Sequence, residues 1–296
     1  VNSAESGFAP GLFRDRVAVI TAAGGAICGS TALMLAELGC SVICADIDAG
    51  RLAALSGRIV AAGGAAPLTV AVDLRTRDGM DQLARETFAH FDRLDILING
   101  LGEHLNSAGP HEDSTEEQWQ ALYEVNLLHV FRASKAFVPA MKRGGWGRIV
   151  NFSSVEGVRS APALAVYAAL KRGVDGFTKS LAVDLARYGI VVSAVAVDKT
   201  RAYQVNHYSL PPEYDDQAGV WIPAGRYGEP EDVARVVTFL ASPLNTWIVG
   251  STVVTDGGTL SAGGWFRTPA RWTNQPLLTQ YFEDPSINAT RPPAVQ

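Results

Sequence analysis

Short apolar runs rich in β-branched residues alternate with amphipathic stretches along most of the chain. The runs fall at 16–20 (RVAVI), 41–46 (SVICAD), 67–73 (PLTVAVD), 94–99 (LDILIN), 147–153 (GRIVNFS), 190–197 (IVVSAVAV) and 251–255 (STVVT). They are nearly continuous rather than alternating, as expected of strands covered on both faces. Between them, 31–40, 50–62, 76–91, 115–131, 164–186 and 230–241 space their apolar residues as helices do. Ser114 or Thr115 followed by acids, and Pro230 in a first turn, are helix start signals. Strand and helix in alternation predict an α/β fold with a doubly wound parallel sheet, and 11–262 read as one domain. The pattern stops at 263. Residues 263–296 hold five prolines, two tryptophans and no period, which predicts an extended C-terminal tail.

Composition narrows the partners. The 296 residues are 47% hydrophobic and 19% charged, with a formal net charge of −5, so nothing attracts nucleic acid or an anionic membrane surface. No apolar run reaches the roughly 18 residues of a membrane span. Cys28, Cys40 and Cys44 are odd in number and lack metal-ligand spacing. They read as buried free thiols in a reducing compartment, with no metal. The opening VNSAESGFAPG has no charged-then-apolar leader, so a cytoplasmic location is expected.

Candidate chemistry appears at strand ends. TAAGGAICGS (21–30) lies between the first strand and a helix, the context of a phosphate-binding loop. Asp46 ends the second strand, 24 residues beyond Ala22, where an acid can bond an adenosine ribose; a strand-end turn aspartate is the plainer reading. YAALK places Tyr167 and Lys171 one helical turn apart on one face, where an ammonium draws a tyrosine pKa down. Ser154, thirteen residues before Tyr167, ends a strand and faces the crevice such sheets use for ligands. A tyrosine and lysine at this spacing also occur on ordinary helix surfaces.

Taken with VNLLHVF, GRIVNFSS and GRYGEPEDVA…FLAS…TDGG, these motifs resemble the short-chain dehydrogenase/reductase family over 11–262. The resemblance implies a Rossmann-type single domain and an oxidoreductase moving hydride between NAD(H) and a secondary alcohol or ketone. It implies a catalytic tetrad of Asn126, Ser154, Tyr167 and Lys171. Tyr167 would exchange the proton on the substrate oxygen, Ser154 would bond that oxygen, and Lys171 would lower the tyrosine pKa and hold the nicotinamide ribose. Asn126 would support a water leading to solvent. It carries cofactor contacts to Ala22, Gly25, Ile27, Asp46, Ile47, Asp73, Leu74, Asn99, Leu101, Val197 and Thr200, besides Tyr167 and Lys171. A small-molecule substrate and a homodimer or homotetramer are implied as partners.

The chain departs from the family's motifs in three places. Ala22, Ala26 and Cys28 stand where T-G-x-x-x-G-x-G has glycines; alanine is tolerable there if φ is negative, and Cys28 is the larger intrusion. Restoring all three glycines should raise cofactor affinity if the loop keeps the family path. NGLG (99–102) replaces N-N-A-G, and Val197–Asp198 replace proline–glycine. These departures keep two other readings open, a member repurposed for a non-redox biosynthetic step and a cofactor-free scaffold. On the substrate side, 201–225 read as a lid carrying Tyr203, His207, Tyr208, Tyr214 and Trp221, suited to a sizeable, largely apolar substrate. Glu103, His104 and Glu156 follow strand ends and are candidates for the same cleft. The tail aromatics, from Trp265 to Phe282, are expected to dock on a neighbouring subunit or on their own lid.

Overall fold

A computed structural model describes residues 7–202, 218–264, 266–267 and 272–273. Seven strands form one parallel sheet in the order β3-β2-β1-β4-β5-β6-β7. They are β1 (Val17–Thr21), β2 (Ser41–Asp46), β3 (Leu68–Ala71), β4 (Ile96–Asn99), β5 (Gly147–Ser154), β6 (Ile190–Val197) and β7 (Thr252–Thr255). The crossovers are α1 (Ala26–Glu37), α2 (Ala49–Ala61), α3 (Arg77–His90), α4 (Glu116–Tyr123), α5 (His129–Gly144), a short α6 (Glu156–Arg159), α7 (Ala165–Ala186), a short α8 (Ala218–Trp221) and α9 (Pro230–Ala241).

The continuous apolar runs have the predicted cause. Along β1, Ala18 and Ile20 enter one buried cluster with α1 and α9, while Val17 and Val19 enter a second with α3 and α5. The inner strands thus feed a core on both faces, whereas the edge strands β3 and β7 are partly exposed. The helix starts are fixed by their first residues. Thr76 accepts the Gly79 N–H, and Thr115, rather than Ser114, forms a reciprocal capping box with Gln118. Pro230 opens α9 behind a Glu229–Asp232 box.

The helix expected over 115–131 is three pieces. After α4 the chain makes a π-helical turn over Glu124–Leu128, then continues as α5 to Gly144. Apolar periodicity does not register one extra residue in a turn, and Pro139 sits inside α5 without ending it. All three cysteines are buried and free. Among the described residues, no helix is long and apolar enough to cross a membrane.

By packing, the chain divides into two compact units, Val1–Ser209 with Gly228–Asp256, and Leu210–Tyr227 with Gly257–Gln296. The first holds the sheet. In the second, Ala218, Ile222 and Tyr227 are buried with Trp221 against them, and Trp221 meets Tyr227 edge-on. The second unit also holds α10 (Thr259–Ala262) and a two-stranded antiparallel pair, β8 (Phe266–Arg267) with β9 (Trp272–Thr273). Tyr203, His207, Tyr208 and Tyr214 of the expected lid lie outside the described residues, as do the tail side chains from Trp265 to Phe282.

Candidate active site

Strand order reverses between β1 and β4, which opens a crevice beyond the C-terminal ends of those strands. The predicted site residues stand at the ends of β1, β2, β4, β5 and β6, on the segment following β3, at the start of α1, on the π-helical turn, or on α7.

The loop after β1 is tightly built. Gly24 donates its N–H to Asp46 Oδ2 at 3.0 Å, and a Cβ on Gly24 would lie 2.9 Å from that oxygen and from Arg51 Cβ. Asp46 Oδ1 accepts the Asp48 N–H at 3.0 Å. Asp46 is therefore the turn clip of the plainer reading, yet each oxygen keeps a lone pair for a hydroxyl donor. Gly25 caps α1 with no side-chain hydrogen bond and no acid in the first turn, which leaves first-turn N–H groups for an anion. Ile27 packs on the first core cluster.

Ala22 corrects the sequence reading. Its φ is +54°, not negative, so it occupies the left-handed region at a cost of about 1 kcal/mol. Cys28 is not the intrusion it looked. Gly100 stands where the family motif has its second asparagine, and a Cβ there would fall inside Cys28 Sγ. The sulfur occupies the room that the missing side chain leaves. Two departures in separate motifs are one exchange of volume. Restoring glycine at 28 alone would open a void, so the triple restoration is not a simple gain.

Asp73 is held by Arg75, whose Nη2 is 2.7 Å from Oδ2. These bonds draw its carboxyl below the usual range. Leu74 is buried and Ile47 is exposed. Asn99 Nδ2 donates to Asn151 Oδ1 at 2.8 Å, and Leu101 lies on the second core cluster. Val197 accepts from Ser154 Oγ at 3.5 Å, and Thr200 Oγ1 donates to the Asp198 carbonyl at 3.0 Å.

On the reaction side, the Ser154 hydroxyl lies beside the Tyr167 phenol and acts to lower its pKa. Ser154 Oγ also accepts the Glu156 N–H at 3.2 Å. Lys171 is buried, its Nζ donating to the Phe152 carbonyl at 3.2 Å and standing 5.7 Å from the Tyr167 ring centroid. Gly102 makes this possible, since a Cβ there would be 2.5 Å from Lys171 Nζ and 3.3 Å from Asn126 Oδ1. Asn126, on the π turn, is clamped to Glu103 by two bonds, accepting its N–H at 3.1 Å and donating to its carbonyl at 2.7 Å. The fold thus brings Asn126, Ser154, Tyr167 and Lys171 to one place.

Burial dominates the titrations. It pushes the Tyr167 phenol up to about 12 against the lowering effect of the Ser154 hydroxyl, with Glu156 and Glu103 adding to the rise. The net shift is upward, so burial outweighs the depression expected from Lys171. Burial likewise draws Lys171 down to about 8.

Sequence reasoning missed two neighbours. His129, three residues after Asn126, is buried against the Leu101 backbone. Neither ring nitrogen has a partner of good geometry among the described residues. Burial draws it down to about 3, so it is neutral. Its i+3 spacing from Asn126 was the available signal. Arg159 bridges Glu156 Oε1 at 2.9 Å and Asp198 Oδ2 at 3.1 Å, and the Asp198 side chain is only 3% exposed. The aspartate in place of the family's glycine is therefore neutralised by an arginine 39 residues earlier.

Tyr167 also lines a cavity of about 320 Å³, with His111, Ser114, Gln118, Trp119 and Leu122 on one side and Ala163–Val166 on the other. The Gly109 N–H joins these walls by donating to the Ala163 carbonyl at 3.0 Å. Leu105, Asn106, Ser160 and Ala163 all have φ between 52° and 72°. Such outliers cluster where surrounding structure over-determines the backbone. Glu103 and His104 pair at 4.0 Å.

A parallel sheet with this strand order, an uncapped helix behind a glycine turn, and a serine–tyrosine–lysine cluster define a nucleotide-dependent α/β oxidoreductase. The family described as Enoyl-(Acyl carrier protein) reductase matches residues 22–259. A 3-oxoacyl-[acyl-carrier-protein] reductase of Synechocystis sp. is 36% identical over 245 residues, covering 82% of this chain and 96% of the relative. A cyclohexanol dehydrogenase of Acinetobacter sp. is 36% identical over 248 residues, with 83% and 95% covered. The crystal structure of a 3-ketoacyl-(acyl-carrier-protein) reductase from Brucella melitensis complexed with NADH superposes with a TM-score of 0.75 at 28% identity, covering 83% and 99%. The chain belongs to the short-chain dehydrogenase/reductase family. It is an oxidoreductase of a family that binds a nicotinamide cofactor.

Proposed function

We propose that this chain interconverts a secondary alcohol and a ketone with NAD(H), and that Tyr167 exchanges the proton on the substrate oxygen. The observation that carries the reading is Ser154 and Tyr167 side by side, next to buried Lys171, at a cavity that Tyr167 lines. A phenol pushed up to about 12 stays protonated at neutral pH and serves as the acid that protonates a carbonyl oxygen. Ser154 polarises the same oxygen. The Lys171 ammonium, 5.7 Å from the ring centroid, stabilises negative charge developing on Tyr167 Oη as its proton leaves. Asn126 fixes the 102–103 backbone against which Lys171 packs. The nicotinamide, when bound, supplies or accepts the hydride.

Residues Ala22, Gly25 and Ile27 would cradle the pyrophosphate at the start of α1. Asp73 and Leu74 would hold the adenine, with Asn99, Leu101, Val197 and Thr200 along the nicotinamide half. Asp46 and Ile47 would face the adenosine ribose. NAD rather than NADP follows from the buried Asp46 carboxylate, which opposes a 2′-phosphate by like charge. Arg51, at the same turn, is already paired to Asp48 at 3.3 Å. We take 11–262 as the catalytic domain, 263–296 as its tail, and the assembly as a homodimer or homotetramer.

Fluorescence titration with NADH and NADPH, followed by consumption of the reduced cofactor with a ketone, tests the reading. Tighter NADH binding with turnover supports it. Binding without redox points to a repurposed member, and no binding to a scaffold.

A further inference from the structure

The wall of the cavity facing Ala163–Val166 is built as a flat aromatic plate. His111 and Trp119 stack with ring centroids 5.5 Å apart and planes within 10°. One hydroxyl locks the plate: Ser114 Oγ accepts the Trp119 Nε1–H at 2.7 Å and donates to the His111 carbonyl at 2.6 Å. Trp119 is further fixed at the start of α4, where its backbone N–H donates to the Thr115 carbonyl at 3.1 Å. An indole held this way offers its π face without an ordering cost on binding. The opposite wall, Ala163 to Val166, is apolar.

Charge completes the description. Glu112, Asp113, Glu116 and Glu117 alternate with the lining residues and are exposed, and the chain has no lysine or arginine between 94 and 131. Across the cavity, 161–167 carry no charge. An anionic group at this mouth meets like charge, whereas an uncharged molecule is unaffected.

We propose that this cavity selects an uncharged cyclic ketone, or its alcohol, laid against the His111–Trp119 plate with its oxygen at Tyr167. A volume of about 320 Å³ suits one or two rings rather than a long chain. The assignment rests on the oxidoreductase reading above and names the substrate class of that site.

Three ketones test it: β-tetralone (two rings, uncharged), ethyl levulinate (open chain, uncharged) and levulinate (open chain, anionic). β-Tetralone should exceed ethyl levulinate in kcat/KM by about tenfold, and ethyl levulinate should exceed levulinate by about threefold. Trp119→Ala should cost β-tetralone about tenfold, chiefly in KM, and leave ethyl levulinate within about twofold. His111→Ala, at an exposed position, tests the plate if Trp119→Ala fails to fold, with about a threefold loss for β-tetralone alone. The pair Glu112→Gln, Glu116→Gln should raise the levulinate rate only. Preference for levulinate, or equal losses for ring and chain substrates in the plate variants, overturns the assignment. Tight cofactor binding with no turnover of any ketone overturns the oxidoreductase reading instead.

Discussion

The loop after β1 and the turn after β6 both depart from the family's motifs, and each is repaired by a partner distant in sequence. In the first the repair is volume: Cys28 Sγ fills what Gly100 vacates. In the second it is charge: Arg159 neutralises the buried Asp198. A volume repair is insensitive to pH and salt, whereas a charge repair lets the solvent act on the site. The two halves of one cleft therefore answer differently to the same perturbation. Neither repair touches the proton-handling group at their junction.

That junction supplies the largest effect. Tyr167→Phe leaves both repairs in place and removes the proton donor, so ketone reduction should fall more than about a hundredfold, with cofactor binding by fluorescence nearly unchanged. A variant with the parent kcat would remove Tyr167 from the mechanism.

Breaking the volume repair comes next. Gly100→Asn drives a side chain into Cys28 and should destabilise the fold by about 3 kcal/mol in urea titrations. Adding Cys28→Gly should recover at least about 1 kcal/mol of that, a favourable coupling between the two positions. Simple additivity would mean that the exchange is not an exchange.

The charge repair should cost slightly less to break. Arg159→Ala removes the ion pair that the arginine makes to the nearly buried Asp198 carboxylate. The arginine is 29% exposed, so the loss should be about 2 kcal/mol rather than the larger values of fully buried pairs. It should shrink with added salt, a dependence that the Cys28–Gly100 pair should lack.

Lys171 sharpens the contrast within the reaction side. With its pKa down to about 8, kcat/KM should fall about tenfold per pH unit above that value as the ammonium is lost. Stability should move the opposite way. Between about 8 and the usual 10.5 the unfolded chain binds more protons at this site, so folding gains as pH rises through that window. A flat activity profile from pH 7 to about 9.5 would deny Lys171 its role.

The smallest effect concerns cofactor choice. Asp46→Ala should narrow the NADH-over-NADPH preference by about fivefold. It should also loosen the loop, because Gly24 and Asp48 lose the acceptor of their N–H groups. A parent enzyme that prefers NADPH would reverse the assignment.

Periodicity alone determined the seven strands and most of the helices. Burying strands on both faces demands continuous apolar runs, and that demand is local and visible. YAALK and the serine thirteen residues earlier were legible for a similar reason, since helix geometry fixes a one-turn spacing. What no local pattern held is how distant segments fill one another's space. The sequence shows Cys28 and Gly100 as two defects; only packing of α1 against the end of β4 makes them one fit. Asp198 looks like a lost glycine until β5 and β6 bring Arg159 beside it. The tyrosine pKa was misread because spacing reports a neighbour's charge, whereas desolvation depends on everything packed around the phenol. The π turn at Asn126 and the left-handed Ala22 belong to the same class. Backbone dihedrals there are set by the tertiary contacts that hold them, and residue type records only which conformations are affordable.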